Sequence, residues 1–189
     1  MIPTAPEQQA LIVFVFVALL AERILESIVD ARHRRQLRDL DAVRIRGDAF
    51  SLIVIAQVFL FTGPLLELVL TEHAGLGRAS WFALTALVLA QMLRWSAVRT
   101  LGERWTLRVF VVPDAARIQH GPYRWLRHPN YLAVLVEYAA LPVFLGAWWS
   151  LGPVVALGVL ATAQRIAVED AALDGAAASQ VEPMHPNPS

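Results

Sequence analysis

The chain has 189 residues, of which 57% are hydrophobic and 17% are charged, a balance well outside that of soluble domains. Its formal net charge is zero, so no overall basic field favours nucleic acid as a partner. Because it contains no cysteine, the chain can have neither a disulfide, a thiolate metal site nor a thiol nucleophile, and we expect no metal. This composition indicates a membrane protein.

Five apolar stretches approach the roughly 20 residues that a helix needs to cross the hydrocarbon core. No long alternating pattern suggests a barrel, so we predict an all-α, polytopic integral membrane helical bundle with about five transmembrane helices. Glu22, Arg23 and Glu26 follow the first apolar run and predict its water-exposed end. Arg94 and Arg99, near the end of the third stretch, can reach a headgroup layer. The predicted spans cover about residues 8–29, 50–70, 80–98, 131–149 and 151–173.

The pattern divides the chain into three parts. Residues 1–78 read as a transmembrane hairpin with a basic loop, and residues 79–173 as a core of three spans with a long polar loop. We predict that residues 174–189 are a disordered tail and that the chain turns between the last two spans over residues 146–153. The first segment lacks a basic n-region and a small-residue cleavage site, so we expect no cleaved signal peptide.

Arginines are concentrated in two of the predicted loops, whereas the link between the second and third spans carries only Arg78. Short cytoplasmic loops collect positive charge, so both basic loops and the C-terminus are expected in the cytoplasm, with the N-terminus outside. The arginines of the two loops are Arg32, Arg34, Arg35, Arg38, Arg44 and Arg46, and then Arg99, Arg104, Arg108, Arg117, Arg124 and Arg127.

The segment GPYRWLRHPNY gathers polar side chains immediately before the fourth apolar run. Pro129 has no amide hydrogen and biases His128 away from the helical region, which predicts that a helix begins here. Such a helix end can hold an anion or a carboxylate. Alternatively, His128 and Asn130 only cap the helix, and Tyr123 and Tyr131 belong to the interfacial aromatic belt.

Ionisable side chains also occur within the predicted spans, where such groups are candidates for function. Arg165 and Glu169 share a face of the fifth helix at i and i+4, with Asp170 beside them, and the alternative interpretation is an interfacial salt bridge. Glu137 could pair with an arginine inside the bundle, and Glu67 in the second span raises the same question.

The strings LGERWTLRV, GPYRWLRHPNY and RIAVED occur in this order, the last after a helical hairpin. Together they resemble the isoprenylcysteine carboxyl methyltransferase family, whose members include phospholipid methyltransferases, over about residues 90–173. The resemblance implies a membrane enzyme that uses S-adenosylmethionine, with Arg165 as the catalytic, acceptor-binding arginine. The residues that match cofactor contacts of the family are Arg117, Ile118, Tyr123, His128, Pro129, Asn130, Tyr131 and Glu169.

The resemblance further implies methyl transfer to a carboxylate, or to an enol or phenol oxygen, of a small lipophilic acceptor. The reaction is expected at the cytoplasmic face, with membrane lipids as further partners. All sixteen basic residues are arginine, which suggests a bacterial chain and an inner-membrane location. An alkylpyrone or alkylresorcinol acceptor is therefore favoured over an isoprenylcysteine-like carboxylate. Such a transfer needs alignment and exclusion of water more than acid or base catalysis.

Two other functions stay open. NADPH-dependent membrane reductases of the steroid and sterol type carry an R-H-P-N-Y string of their own, but with a Trp-Arg-Tyr-Ser lead-in and a Gly-Glu after the tyrosine. This chain has PYRWL and LAV at those places. A non-catalytic membrane scaffold on the same fold would not need the tyrosines, His128, Arg165 and Glu169 together.

The distribution of arginines makes the topology testable, because the chain has no cysteine of its own. Cysteines introduced singly at Thr71 and Gln119 are to be probed in intact cells with a membrane-impermeant thiol reagent. We expect labelling at Thr71, outside, and none at Gln119, inside. Labelling at Gln119 but not at Thr71 would overturn the predicted orientation.

Overall fold

Helices and a small antiparallel sheet make up the fold. The computed structural model describes residues 5–40, 42–71, 76–112, 115, 117–173, 175 and 181–183. Its helices are α1 (Ala5–Arg38), α2 (Phe50–Thr71), α3 (Arg78–Leu101), α4 (Pro129–Leu145) and α5 (Trp148–Leu173). Its strands are β1 (Val43–Ile45), β2 (Phe110–Val111) and β3 (Val181–Pro183). Two 3₁₀ turns, Gly102–Arg104 and Gly121–Arg124, lie in the long segment between α3 and α4.

The helical bundle presents an apolar surface, which confirms the predicted all-α membrane fold. Large apolar side chains such as Phe14, Leu70, Phe82 and Trp149 lie exposed on it, as expected of a surface that faces lipid. Within the described residues, α2, α3 with its 3₁₀ turn, and α5 are long and apolar enough to cross a membrane. Helix α4 is also apolar but has 17 residues. The total of five spans therefore stays a prediction.

Two predicted boundaries were wrong. Helix α1 continues through the basic stretch to Arg38, because that stretch contains neither glycine nor proline to end it. The turn between α4 and α5 is also shorter than predicted. Gly146 closes α4 in the left-handed conformation (φ 70°), and α5 begins at Trp148. Pro153 lies inside α5, where a proline removes one backbone hydrogen bond without ending the helix.

The sheet joins three segments that are far apart in the sequence. Strand β1 lies in the middle, antiparallel to both β2 and β3, with Val43 opposite Val111 on one side and opposite Pro183 on the other. The disorder predicted for the tail was therefore wrong for β3. Residues 174, 176–180 and 184–189 lie outside the described residues. The strands were not predicted, because two or three residues are too few to show a period-2 pattern.

The apolar core lies between α4 and the surrounding helices. Tyr138 and Leu141 of α4 are completely buried, together with Leu60 of α2 and Val154 of α5. Gly158 of α5 allows this close packing, because a Cβ atom there would overlap the ring of Tyr138. Helix α4 is thus held on several sides, which fixes the position of its first turn.

Charged side chains lie inside the bundle and correct two predictions. Glu22 and Glu26 are buried rather than water-exposed, and Arg94 is buried rather than at the headgroups. Arg94 donates hydrogen bonds to Glu26 and, through Nη1, to Glu137 Oε2 at 2.9 Å. Arg23 Nη1 lies 3.1 Å from Glu26 Oε2. Charged groups are stable at this depth because partners on other helices offset their desolvation. The predicted pairing of Glu137 with an arginine is confirmed.

Glu67 of α2 caps the start of α5. Its carboxylate accepts hydrogen bonds from the backbone amides of Trp149, at 3.0 Å, and Ser150, at 2.6 Å, and from the Ser150 hydroxyl at 2.6 Å. The first amides of a helix have no partner within the helix and carry partial positive charge, so an acidic side chain satisfies both conditions. Glu67 therefore has a structural role that joins α2 to α5.

The buried ion pairs make Arg94 a critical residue for stability. Arg94→Ala leaves the carboxylates of Glu26 and Glu137 with too few cations, and we expect a loss of about 3–5 kcal/mol in unfolding free energy. Arg99→Ala, one and a half turns further along α3 and exposed, is the matched control and should change stability little. Thermal unfolding of both variants in lipid nanodiscs measures the difference. Equal stability of the two variants would show that the ion pairs of Arg94 with Glu26 and Glu137 do not stabilise the fold.

Candidate active site

A cavity of about 760 Å³ lies where the segment between α3 and α4 meets the end of α5. Its walls combine apolar side chains, among them Leu37, Phe110 and Leu173, with charged and aromatic ones. Pro129 is not in the wall but lies buried in the first turn of α4. The other predicted site residues all line the cavity: Arg117, Ile118, Tyr123, His128, Asn130, Tyr131, Arg165 and Glu169.

The backbone of the motif is shaped by its glycine and prolines. Gly121 has a φ of +58°, and a Cβ atom there would lie 2.5 Å from the Thr100 hydroxyl at the end of α3, so only glycine fits. His128 is the N-cap of α4 with non-helical backbone angles, and Pro129 is the first helical residue, as predicted. The first turn of α4 therefore directs Asn130 and Tyr131 to the cavity wall.

Tyr131 links the two ionisable residues of α5. Its hydroxyl donates to a carboxylate oxygen of Glu169 and accepts a hydrogen bond from Arg165 Nε at 3.2 Å. The carboxylate within ion-pair distance of Arg165, in the part of the chain that the structure describes, is Asp48 at 3.4 Å rather than Glu169. The i, i+4 pair is thus bridged by a tyrosine of α4, and the interpretation as a simple salt bridge along α5 was wrong.

Arg165 is 5% exposed and is held by backbone carbonyls from two distant segments. Its Nη1 donates to the carbonyl of Asp48 at 2.9 Å, and its Nη2 donates to the carbonyl of Leu107 at 2.7 Å. The sequence alone did not point to Asp48, which lies 117 positions away from Arg165. The available signal was that Asp48 lies two positions before the start of a predicted helix. That pattern indicates only that its side chain caps the helix.

Asp170 of α5 binds the segment that precedes α4. Its Oδ1 lies 2.9 Å from Arg127 Nη2, 3.1 Å from His128 Nε2 and 3.7 Å from Arg117 Nη2. These three partners come from the loop that leads into α4, so the carboxylate draws that loop against α5. Because the side chain of Asp170 is about a quarter exposed, each pair is worth little by itself, and their common effect is to set the shape of the cavity.

Two polar side chains of the cavity have properties that suit a ligand. The Oδ1 atom of Asn130 is buried and has no hydrogen-bond partner among the described residues. Such an atom is costly unless a donor reaches it. Burial raises the pKa of the Tyr123 phenol, and the nearby Glu169 carboxylate raises it further, so Tyr123 stays neutral at physiological pH. The site thus presents an acceptor, a carboxylate and neutral aromatic faces.

The charge of the cavity wall is predominantly positive. Among the residues that the structure describes, six arginines contribute to the wall, against the carboxylate of Glu169: Arg104, Arg108, Arg117, Arg124, Arg127 and Arg165. The described residues contain no group of three or more His, Cys, Asp or Glu side chains placed to hold a metal ion. The arrangement therefore suits a ligand that carries both an anionic group and a cationic centre, beside an apolar surface.

Comparison with known proteins identifies the family of the chain. Residues 82–175 match the profile of the isoprenylcysteine carboxyl methyltransferase (ICMT) family. The chain belongs to this family. Membership implies a membrane methyltransferase. The matched segment of the ICMT family begins in α3 and ends just beyond α5, so it contains every predicted site residue but does not include Asp48.

Two bacterial proteins are similar to this ICMT-family chain over most of its length. The uncharacterized protein YpbQ of Bacillus subtilis (strain 168) is 25% identical over 156 residues, which cover 82% of this chain and 92% of that protein. An uncharacterized protein of Haemophilus influenzae is 24% identical over 159 residues, which cover 84% of this chain and 92% of that protein. No solved structure gives a significant match.

Proposed function

We propose that this protein is an S-adenosylmethionine-dependent methyltransferase that acts on an oxygen of a small lipophilic acceptor at the cytoplasmic membrane face. The observation that carries the proposal is the cavity, which brings together residues that match cofactor contacts of the family from two helices and the segment before them. A scaffold would have no need for such a convergence. The proposal therefore rests on position as well as on sequence pattern.

The residues of the cavity fit S-adenosylmethionine. The unpartnered Oδ1 of Asn130 requires a hydrogen-bond donor, which the amino groups of this molecule provide. Arg117 and Arg127 offer donors to its carboxylate, and both lie at the more exposed side of the cavity. A volume of about 760 Å³ lies within the range of small-molecule sites and leaves room beside the cofactor for an acceptor head group.

The methyl donor supplies an electrophilic methyl group on a cationic sulfonium centre. Glu169 contributes negative charge near this cation, and its carboxylate is oriented by the hydroxyl of Tyr131. The faces of Tyr123 and Tyr131 add cation–π stabilisation, and neither phenol needs to ionise. These residues bind and align, which is the main requirement of an in-line displacement.

Apolar side chains and the positive charge of Arg165 suit the acceptor. Apolar side chains such as Leu37, Phe110 and Leu173 suit an alkyl or isoprenoid chain that enters from the lipid. Arg165 orients the acceptor oxygen, which carries negative charge before transfer and loses it during the reaction. Exclusion of water by the apolar wall strengthens this interaction. We infer an enol or phenol oxygen of an alkylpyrone or alkylresorcinol, or a carboxylate of the isoprenylcysteine type.

The arginines around the cavity also indicate on which side of the membrane the site lies. The cavity lies beside Arg104, Arg117, Arg124 and Arg127, all in a segment expected on the cytoplasmic side. The cytoplasmic face of a bacterial inner membrane supplies a water-soluble methyl donor and a membrane-dissolved acceptor at one boundary. Membrane lipids are then both the solvent of the bundle and contacts of the basic loops.

Ligand binding distinguishes this function from the reductase alternative. We expect purified protein to bind S-adenosylmethionine and S-adenosylhomocysteine, and not NADPH, in isothermal titration. Glu169→Gln should weaken binding of S-adenosylmethionine by about tenfold, or roughly 1.4 kcal/mol, because a charged contact to the sulfonium is lost. Its effect on S-adenosylhomocysteine, a neutral thioether, should be smaller.

The matched control for this measurement is Asp170→Asn, which removes the neighbouring carboxylate. Because Asp170 pairs with Arg127 and His128, its loss should weaken both adenosyl ligands equally. Saturable binding of NADPH without a response to either adenosyl compound would replace the methyltransferase with a reductase. No binding of any of the three would favour a scaffold.

Transfer itself is tested with a defined set of acceptors. Protein in lipid nanodiscs is to be incubated with methyl-labelled S-adenosylmethionine and one of three probes: an alkylresorcinol, an alkyl hydroxypyrone or N-acetyl-S-farnesylcysteine. We expect label on an oxygen of at least one probe by mass spectrometry. Arg165→Lys should abolish most turnover, since a point charge does not reproduce a planar fork of donors. Label on nitrogen or carbon, or on none of the probes, would contradict the proposed oxygen transfer.

A further inference from the structure

Asp48 lies outside the segment that matches the family, yet it contacts the site at several points. It sits between β1 and α2 and is 3% exposed. Its Oδ1 lies 3.1 Å from Arg108 Nη1, and its Oδ2 accepts from the amide of Val109 at 3.3 Å and lies 3.4 Å from Arg165 Nη1. Its carbonyl accepts from the same Nη1 at 2.9 Å. A single residue therefore holds two arginines of the cavity wall.

The backbone around Asp48 is shaped to deliver this carboxylate. Gly47 has a φ of +71°, and Ala49 has a φ of +54°, in a region that alanine adopts at a cost of about 1 kcal/mol. Oδ1 also accepts from the amide of Phe50 at the start of α2, at 3.4 Å. A helix cap needs no left-handed residue after it. Capping alone therefore does not explain the strained backbone, and we attribute it to the contacts that Asp48 makes with Arg165.

The contacts of Arg165 determine what it can offer to a ligand. A guanidinium has five N–H groups. Tyr131 accepts from Nε, the carbonyl and carboxylate of Asp48 face Nη1, and the carbonyl of Leu107 accepts from Nη2. Hydrogen bonds use three of the five groups, one each on Nε, Nη1 and Nη2, and the Asp48 carboxylate forms an ion pair with Nη1 at 3.4 Å. Among the described residues, one N–H of Nη2 has no acceptor. Arg165 lines the cavity, so we assign this N–H as the donor to an acceptor oxygen.

We infer that Asp48 is a positioning residue for methyl transfer: it fixes the guanidinium plane of Arg165 so that the remaining N–H faces the acceptor. The inference rests on the proposed function, and it assigns a role in the site to the N-terminal part of the chain. Asp48 acts through Arg165, and through Arg108, which stacks over the Phe50 ring at 3.8 Å from its centroid. Asp48 does not itself need to touch a ligand.

Asp30 provides a matched control. It is also a buried carboxylate (3% exposed), and its Oδ1 accepts from the amide of Leu107 at 2.8 Å while its Oδ2 pairs with Arg34 at 2.9 Å. Both aspartates thus support the same stretch of chain, but Asp30 reaches Arg165 only indirectly, through Leu107, whose carbonyl accepts from Nη2. If Asp48 only supported this stretch, Asp48→Asn and Asp30→Asn would have the same consequences.

The first experiment observes Arg165 without any ligand. Full-length protein with ¹⁵N-arginine in nanodiscs is examined by NMR, and the Nε–H signal of Arg165 is assigned by its absence from Arg165→Lys. We expect Asp48→Asn to raise the hydrogen-exchange rate of this group by about tenfold or more, as for the loss of a charge-assisted contact. Asp30→Asn should change it much less, because Asp30 has no direct contact with Arg165. An unchanged Arg165 signal in Asp48→Asn would overturn the inference.

The second experiment measures turnover with whichever alkylresorcinol, hydroxypyrone or farnesylcysteine probe the wild-type protein methylates. We expect Asp48→Asn to lower kcat/KM for the acceptor by about 10- to 100-fold while the affinity for S-adenosylmethionine is unchanged. Asp48→Glu, which keeps the charge but moves it by one methylene, should give the same pattern and serves if the Asn variant does not fold. Equal losses in Asp48→Asn and Asp30→Asn would overturn the positioning role. Failure of the wild type on all probes would refute the proposed function, whereas the Arg165 signal would still decide whether Asp48 holds the guanidinium.

Discussion

The structure depends first on the pairing of Arg94 with Glu26 and Glu137 inside the bundle. A charge that is removed from water is stable only with opposite charges and hydrogen bonds around it, so these side chains must meet. Their meeting ties α1, α3 and α4 together and sets the rotation of α4 about its own axis. The same rotation presents Asn130 and Tyr131, two turns earlier, to the cavity. Packing of Tyr138 against Gly158 then places α5 beside α4.

The polar end of α5 organises the cavity in a similar way, through three side chains that bind the neighbouring segments. Arg165 is bonded to the carbonyls of Asp48 and Leu107, Glu169 to the hydroxyl of Tyr131, and Asp170 to the loop that leads into α4. Each interaction satisfies a buried or half-buried polar group, so the segments cannot separate without loss of hydrogen bonds. By contrast, Oδ1 of Asn130 has no partner among the described residues, and the proposed cofactor would supply a donor to it.

Most of the elements and the residues of the candidate site could be predicted, and most of the errors share one physical cause. The apolar runs indicated the helices, and the proline of the motif indicated the start of α4, because both signals depend on neighbouring residues only. Glu22, Glu26 and Arg94 were misinterpreted because a charge beside an apolar run looks the same whether it faces water or a partner on another helix. The turn at Gly146 and strand β3 were misjudged for a similar reason. Capping by Glu67 and pairing with β1 come from distant parts of the chain.

The sequence by itself determined that this is an all-α membrane protein and which motif residues carry its family resemblance, since composition and local spacing are sufficient for both. Only the tertiary structure decided how those residues are held. Tyr131 stands between Arg165 and Glu169, and Asp48 reaches Arg165 from 117 positions away. Such contacts depend on which faces of the helices pack together. That choice is made by the burial of apolar surface and the pairing of charges over the whole bundle, and no local pattern encodes it.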